Sequence, residues 1–311
     1  MDGRSHTAVL LVNTGTVAAP TAAAAGKFLK EFLNDPKVVS LPSPLRKLLV
    51  NGFIVPRRAR HTAAAYQRIW QTGGSPLLVE MTRLEQALGA ELADARVVLA
   101  MRYGEPSVPR VLRSLNESGC RRVVVLPLFP QYADATTGSA IAAVTEALQR
   151  YPDLSVDFVS PFFDRPEFIE ALADHYAPLL KDFAPEHILF SYHGLPERHI
   201  HRSDPTGKCL VRPDCCIPFG PHNRHCYRAQ CVATTDRVTT RLGLDKTLYT
   251  TTFQSRMGPM RWIGPSTTET VDTLASAGIR RLAVACPSFV VDNLETLEEI
   301  GIRLREQFMQ T

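Results

Sequence analysis

Short runs of β-branched and other apolar residues alternate along the chain with stretches in which apolar residues recur every three or four positions. The runs predict buried strands, and the periodic stretches predict amphipathic helices. Continuous apolar strands that alternate with helices are typical of parallel sheets covered on both faces. The predicted strands are 8–13, 38–41, 96–101, 122–129, 154–160, 187–192, 246–253 and 281–285, and the clearest predicted helices are 76–95, 136–150, 166–183 and 271–277.

Two segments, 119–148 and 278–304, share one order of features. Each runs from a glycine and two arginines through an apolar strand, a proline, a phenylalanine and a polar loop to a helix. Any strand–loop–helix unit can give this order, so the similarity agrees with two halves without requiring them. The sequence predicts an α/β protein of two Rossmann-like, doubly wound lobes, 1–153 and 154–311, each with a four-stranded parallel sheet. We expect the last helix to pack back on the first lobe.

Composition agrees with this division and excludes several classes of protein. The length of 311 residues is about twice that of a usual domain of ~150 residues. With 45% hydrophobic and 21% charged residues the chain can form packed cores, which excludes a disordered protein. A net charge of +4 is too small for a nucleic-acid-binding surface. We find no secretory signal and no apolar run near ~18 residues, so we expect a cytoplasmic protein.

Residues with catalytic chemistry follow the predicted strands, where open α/β sheets bind their ligands. His193 comes directly after a buried strand, a placement that suits a metal ligand or a general base, although a single histidine there can equally be structural. The spacing of Asp292, Glu295 and Glu299 places three carboxylates on one face of a helix that begins near Asp292. Such a row could bind a divalent cation or carry protons, while Asp292 could also cap the helix.

Seven segments in this order resemble the ferrochelatases, lyases that insert ferrous iron into a porphyrin to make haem. The segments are LLVNTGT (10–16), YQRIWQTGGSPL (66–77), MRYGEP (101–106), LPLFPQYADATTGS (126–139), SYHGLPERHIHRSDP (191–205), TTFQSRMGPMRWIGP (251–265) and CPSFVVDNLETLEEI (286–300). The resemblance implies a chelatase-like fold of two lobes with the porphyrin between them. It also implies that His193 and Glu295 bind the iron and accept the pyrrole protons, with Asp292 and Glu299 extending the carboxylate row.

The resemblance further implies a set of porphyrin-binding residues and a substrate. Coproporphyrin-using relatives carry a tyrosine where this chain has Thr14, which favours protoporphyrin IX as substrate and protohaem, the end product of haem biosynthesis, as product. Arginine recognises a propionate carboxylate, and tyrosine or serine can add a hydrogen bond. The matching positions are Arg58, Tyr66, Ser75, Met101, Arg102, Tyr103, Phe129 and Trp262, of which the last two are aromatic residues that could instead belong to a core.

Five of the seven cysteines fall within residues 209–231, here called the cysteine segment. This segment resembles the internal cysteine segment of bacterial ferrochelatases that carry a [2Fe–2S] cluster, and four thiolates bind either such a cluster or a structural zinc ion. We expect Cys209, Cys216, Cys226 and Cys231 as ligands, with Cys215 as the alternate, because adjacent cysteines rarely fit one small cluster together.

Other functions stay open from the sequence. A coproporphyrin ferrochelatase or a cobalt chelatase of the same fold would keep the same histidine and acid, and a non-catalytic haem or iron–sulfur protein would not need the carboxylates. The segment 41–60 combines apolar residues with four arginines and a lysine; it resembles the hydrophobic cleft lip of the family, which can rest on the inner membrane surface, but a buried amphipathic helix would look similar. The expected partners are protoporphyrin IX and ferrous iron, with no nucleic acid, for a monomer or a homodimer.

Overall fold

The computed structural model describes residues 6–258 and 260–311. Residues 1–5, part of the stretch in which the sequence analysis finds no secretory signal, and Pro259, within the motif at 251–265, lie outside the described residues. By internal contacts the chain divides into two units. Unit one holds the described residues up to Phe129, then Ala133–Ser160 and Val291–Leu294; unit two holds Pro130–Tyr132, Pro161–Val290 and Glu295–Thr311.

Unit one contains a parallel sheet of four strands among the described residues, in the order β2-β1-β3-β4. The strands are β1 (Thr7–Gly15), β2 (Arg96–Tyr103), β3 (Arg122–Pro127) and β4 (Ser155–Phe158). The helices are α1 (Ala22–Leu33), α2 (Ser43–Leu49), α3 (Val55–Ile69), α4 (Pro76–Glu91), α5 (Val108–Glu117) and α6 (Ser139–Leu148), with π-helical turns at Val50–Ile54 and Asp134–Gly138.

The predicted edge strand at 38–41 is wrong. The backbone N–H groups of Val38 and Val39 both donate to the carbonyl oxygen of Asp35, which closes a turn. The two valines are apolar because they pack against Leu29 and Leu33 of α1 rather than because they pair with a neighbouring strand. Their place in the sheet is taken by β4, which pairs with β3.

Unit two contains a parallel sheet in the order β6-β5-β7, three strands in the described chain and one fewer than predicted because β4 belongs to the first sheet. The strands are β5 (His187–His193), β6 (Tyr249–Gln254) and β7 (Leu282–Ala285). The helices are α7 (Pro166–Phe183), α8 (Glu197–Ser203), α9 (Tyr227–Arg241), α10 (Thr267–Ser276) and α11 (Arg305–Gln310), with a 3-10 turn at Lys246–Leu248 and a π-helix at Glu295–Leu304.

The core of unit two packs β5 against the helices that follow it in the chain. Leu189 of β5 is fully buried and packs in one apolar cluster with Val271 of α10 and Leu304 of the π-helix. Phe308 of α11, the helix expected on the first lobe, packs against the same cluster. The parallel sheets and the intervening helices of both units confirm the predicted α/β fold class, with three rather than four strands in the described part of the second sheet. No helix of the described residues is long and apolar enough to cross a membrane.

Candidate active site

His193 is the last residue of β5 and lies opposite Gln254, the last residue of β6. The six preceding residues of β5 are buried, whereas His193 is half-buried and so marks the point where the strand leaves the core. Its ring nitrogen Nδ1 lies 2.6 Å from the carbonyl oxygen of Gly194. Because a carbonyl oxygen can only accept, Nδ1 carries a proton, which leaves Nε2 as the ring nitrogen able to offer a lone pair. This is the tautomer that a metal ligand or base needs.

Gly194, the residue after His193, lies too close to the backbone of β6 to carry a side chain. A Cβ atom built on Gly194 would lie 2.8 Å from the carbonyl oxygen of Gln254, closer than side chains approach a backbone. The same oxygen accepts a hydrogen bond of 2.8 Å from the Gly194 N–H. The glycine of the HGLP motif is therefore required by the close approach of β5 and β6 at their carboxyl ends.

Glu295 opens the π-helix in the same unit as His193. Burial raises the pKa of its carboxyl group, the nearby charge of Glu299 raises it further, and the electrostatic influence of His193 acts in the opposite direction. The side-chain amide of Gln254 donates to the backbone oxygen of Glu295 at 3.3 Å. Gln254 is thus bonded on one side to the chain beyond His193 and on the other to the start of the Glu295 helix, so a single buried residue sets the positions of both.

Glu299 lies one helical turn beyond Glu295, and Ser255 binds its carboxylate. Oε1 accepts from the backbone N–H of Ser255 at 2.8 Å, and Oε2 accepts from the hydroxyl at 2.6 Å. Ser255 has a φ of 65°, in the left-handed region that residues other than glycine rarely adopt. The carboxylate therefore holds the loop after β6 in a backbone conformation that is costly by itself.

Asp292 is separated from the other two carboxylates by local structure. The helix begins after it, at Glu295 in its π-helical part, so the expected helical face of three carboxylates contains only Glu295 and Glu299. Asp292 is exposed in the preceding loop, and the stretch Val291–Leu294 belongs to unit one. The expected face failed because the helix begins after Asp292, and because it is π-helical, a rare form with more residues per turn than an α-helix that recurs at functional sites.

Arg102 and Tyr103, expected to bind porphyrin, both contact a buried carboxylate. Asp35 is 6% exposed, and its Oδ2 accepts from Arg102 Nη2 at 2.7 Å, from the Tyr103 hydroxyl at 2.8 Å and from the Ser139 hydroxyl at 2.5 Å. Burial alone would raise the pKa of Asp35, but these donors and the backbone N–H of Lys37 hold it below its usual value. The sequence analysis missed Asp35 and Ser139, since nothing local marks their pairing with residues so distant in the chain.

The other expected porphyrin-binding residues of unit one differ in exposure. Met101 is fully buried in the core. Ser75, 1% exposed, caps α4 by accepting from the Leu78 N–H. Tyr66 is 6% exposed and accepts from the Thr16 hydroxyl at 3.2 Å. Arg58 of α3 is half-buried, and burial lowers the pKa of its guanidinium.

Two aromatic residues complete the expected set. Phe129, half-buried, packs against the core of unit one. Trp262 belongs to unit two, is 7% exposed and donates its indole N–H to the carbonyl oxygen of Met257 at 3.0 Å. For both, contact with the protein interior accounts for most of the ring surface.

Three thiols of the cysteine segment meet near the start of α9. Cys226 interacts with Cys216 and Cys209; the hydrogen bond from Cys216 is the main cause of a pKa of about 6 for the Cys226 thiol, although burial acts against it. Cys215 lies next to this group, with its sulfur 4.0 Å from that of Cys216. Cys231 is fully buried within α9, where its thiol hydrogen-bonds to Tyr227. Among residues 6–258 and 260–311, no three histidine, cysteine or acidic side chains are already arranged around a metal-sized space.

Comparisons with known proteins identify the family of the chain. The ferrochelatase family model matches residues 6–311. The ferrochelatase of Ectopseudomonas mendocina (strain ymp) is 44% identical over 305 residues, covering 97% of this chain and 89% of its own, and that of Azotobacter vinelandii (strain DJ / ATCC BAA-1303) is 45% identical over 306 residues with the same coverage. The Coxiella burnetii (strain Dugway 5J108-111) ferrochelatase is 43% identical over 303 residues, covering 97% and 85%.

Among solved structures, SirB from Bacillus subtilis with Fe3+ has a TM-score of 0.53 and 11% identity, covering 98% of this chain and 84% of its own, a likeness that shows the fold alone. The family model and the relatives of 44% and 45% identity show the family as well as the fold. The chain belongs to the ferrochelatase family, lyases that insert ferrous iron into a porphyrin in haem synthesis.

Proposed function

We propose that this ferrochelatase uses protoporphyrin IX and that His193 and Glu295 carry the chemistry. Insertion of Fe²⁺ requires the loss of two pyrrole N–H protons, so the products are protohaem and two protons, with no change of oxidation state. In this proposal the Nε2 lone pair of His193 binds the incoming iron, and the carboxylate of Glu295 accepts a pyrrole proton. The observation that carries it is that Gln254 hydrogen-bonds both to Gly194, directly after His193, and to the backbone oxygen of Glu295, which places the two residues at one end of the sheet.

The raised pKa of Glu295 supports its role as the proton acceptor. A carboxylate whose proton is held more tightly than usual is a stronger base toward a weakly acidic pyrrole N–H. In this proposal Glu299 supports the site by binding Ser255 in the loop after β6. The exposed carboxylate of Asp292 helps iron to enter or protons to leave. Neutral imidazole with a carboxylate binds Fe²⁺ less tightly than thiolates bind soft metals, which favours release of the iron into the ring.

For the porphyrin, we propose that Arg58 binds a propionate and that the remaining expected residues shape the wall behind it. Arg58 lies half-buried on α3, and its guanidinium suits a propionate carboxylate, while Arg102 binds Asp35. Thr14, in place of the tyrosine of coproporphyrin-using relatives, favours protoporphyrin IX.

We further propose that the cysteine segment holds a [2Fe–2S] cluster, with structural zinc as the alternative. The meeting of Cys209, Cys216 and Cys226 supports this, because neighbouring thiols can bind one metal centre; the pKa of the Cys226 thiol is lowered toward the thiolate that metal binding needs, whereas burial and the neighbouring Cys226 raise the pKa values of Cys209 and Cys216. The contacts favour Cys215 over Cys231 as the fourth ligand, since Cys231 is directed toward Tyr227. When bound, the group would supply structural cross-linking, because metal insertion moves no electrons. Visible absorbance that survives in C231S but is lost in C216S supports this set, and the reverse result contradicts it.

A basic and apolar surface on unit one fits a peripheral contact with an anionic membrane, on the cytoplasmic side. Leu45, Leu48 and Phe53 are 52%, 63% and 53% exposed on α2 and the following π-helical turn. Lys47 and Arg57 lie on the same segment. Large exposed apolar side chains among cations are typical of surfaces that rest on lipid headgroups. Reduced sedimentation of L48E with anionic vesicles, compared with wild type, would test this contact.

Anaerobic incubation with Fe²⁺ and either protoporphyrin IX or coproporphyrin III, followed by absorbance, tests the reaction. We expect faster metallation of protoporphyrin, and a fall in kcat of about 10²- to 10⁴-fold for H193A and E295Q with porphyrin binding retained. H175A, which changes an exposed histidine of unit two, is the control. Full activity of H193A would contradict the catalytic role of His193. A preference for coproporphyrin over protoporphyrin IX, or for Co²⁺ over Fe²⁺, would change the substrate assigned to the enzyme.

A further inference from the structure

Three consecutive residues at the start of α9 contact two different parts of unit two. Cys226, just before the helix, interacts through its thiol with Cys216. Arg228 points its guanidinium to the same group, with Nη1 3.2 Å from the sulfur of Cys216. Tyr227, between them, reaches β5 instead and donates its hydroxyl proton to the backbone oxygen of His193 at 2.9 Å. The first turn of α9 therefore connects the thiols of the cysteine segment to the chain at His193.

The peptide group that joins His193 to Gly194 is held at both ends. Its carbonyl oxygen accepts from the Tyr227 hydroxyl, and its N–H donates to Gln254 at 2.8 Å. The next carbonyl, that of Gly194, accepts from Nδ1 of the His193 ring. A rotation of the peptide group would displace the Gly194 carbonyl and with it the His193 ring, including Nε2, the atom proposed to bind iron. Loss of the Tyr227 hydroxyl would release one of the two restraints on that rotation.

The hydrogen bond from Tyr227 to His193 lies in the protein interior. The Tyr227 side chain is only 6% exposed. A hydrogen bond in such a dry environment restrains its acceptor more strongly than one in water.

We propose that Tyr227 is a positioning residue that transmits the arrangement of the Cys209, Cys216 and Cys226 thiols to His193. In this role, which rests on the proposed function of His193 as iron ligand, an ordered cysteine segment fixes the start of α9. The fixed helix start holds the Tyr227 hydroxyl against the His193 carbonyl. The cysteine segment thereby affects iron binding without contacting iron or porphyrin.

A matched pair of tyrosines separates positioning from general stability. Tyr192, fully buried on β5, bonds through its hydroxyl to Thr235 of α9 at 2.9 Å. Both Y227F and Y192F therefore remove one buried hydrogen bond between β5 and α9, but only Y227F frees the His193 carbonyl. We expect Y227F to speed hydrogen exchange of the Gly194 amide by about fivefold or more, and to raise the apparent KM for Fe²⁺ more than the KM for porphyrin. Y192F should leave both within about twofold of wild type.

Transmission from the thiols is tested with C216S and with C216S/Y227F, measured by the same exchange. We expect C216S to speed exchange of the Gly194 amide in the wild-type background and to add less than about twofold in the Y227F background. Equal effects of C216S in both backgrounds, an unchanged Gly194 amide in Y227F, or the same result in Y192F would overturn the proposal. Metal content and visible absorbance, recorded on each protein, report on the cluster. The activity of H193A reports separately on the function of His193.

Discussion

Glu299 binds Ser255 with both carboxylate oxygens, at 2.8 Å from the backbone nitrogen and 2.6 Å from the hydroxyl oxygen. In E299Q one of these oxygens becomes an amide nitrogen, which cannot accept, and Ser255 loses support for its left-handed backbone. We expect E299Q to lower the free energy of unfolding by about 1–3 kcal/mol, measured by urea denaturation. E306Q, on an exposed glutamate of α11, is the control, and equal stability of the two variants would contradict the role of Glu299.

The raised pKa of Glu295 predicts how stability depends on pH. The folded state holds this proton more tightly than the unfolded state, so wild type loses stability as pH rises from the ordinary value of 4.5 through the higher folded value. E295Q carries no such charge. With a chelator present, we expect E295Q to be more stable than wild type at neutral pH and the difference to vanish below about pH 4. Thermal unfolding across this range measures it, and a more stable wild type at pH 7 would be the contrary result.

The stability that Asp35 contributes depends on pH in the opposite direction to that of Glu295. Its pKa lies below the ordinary 3.8, so the stability that it supplies is present above that value and is lost as pH falls through the folded pKa. D35N replaces an acceptor of four hydrogen bonds by a group with one oxygen, and leaves Arg102 without its anion. We expect a loss of about 3 kcal/mol at pH 7 that shrinks in strong acid, measured by urea denaturation at both pH values. A loss of the same size in acid would show that shape rather than charge matters.

The close approach at Gly194 predicts a steric variant with a clear control. In G194A the new methyl group would meet the Gln254 carbonyl at 2.8 Å, so β5 and β6 must separate at the active site. We expect a loss of stability of about 1–3 kcal/mol and of most activity. G52A adds a methyl group with no atom within 4 Å, in a helical turn, and should be neutral or stabilising by up to about 1 kcal/mol. An active, stable G194A would contradict this geometry.

The sequence predicted what depends on local pattern. Seven apolar runs became strands, and the longest buried stretches are in β1, β2 and β5; His193 and Gln254 lie where strand ends were expected. The run at 38–41 failed because Val38 and Val39 are buried by packing against α1. Apolarity reports burial and does not by itself identify the partner.

Relationships between distant segments could not be predicted. Asp35 and Arg102 meet across 67 positions, and Tyr227 reaches His193 across 34, with no periodic signal to connect them. Cys231 was preferred to Cys215 because adjacent cysteines rarely fit one small cluster together, and that choice stays a prediction; the burial of Cys231 inside α9 depends on how the helix packs, which no local signal reveals. The position of Asp292 depended on where a π-helix begins, which the apolar repeat does not reveal.

The carboxylate of Asp35, which follows α1, accepts hydrogen bonds from β2 and from the first turn of α6. Three stretches of chain that are far apart in sequence therefore meet at this carboxylate. A buried anion with only one or two of these donors would be strongly unfavourable, so intermediates in which one stretch has docked gain little. Unit one should therefore assemble cooperatively around this residue, and a chain with a misplaced helix would be detectable by quality-control proteases through its unsatisfied charge.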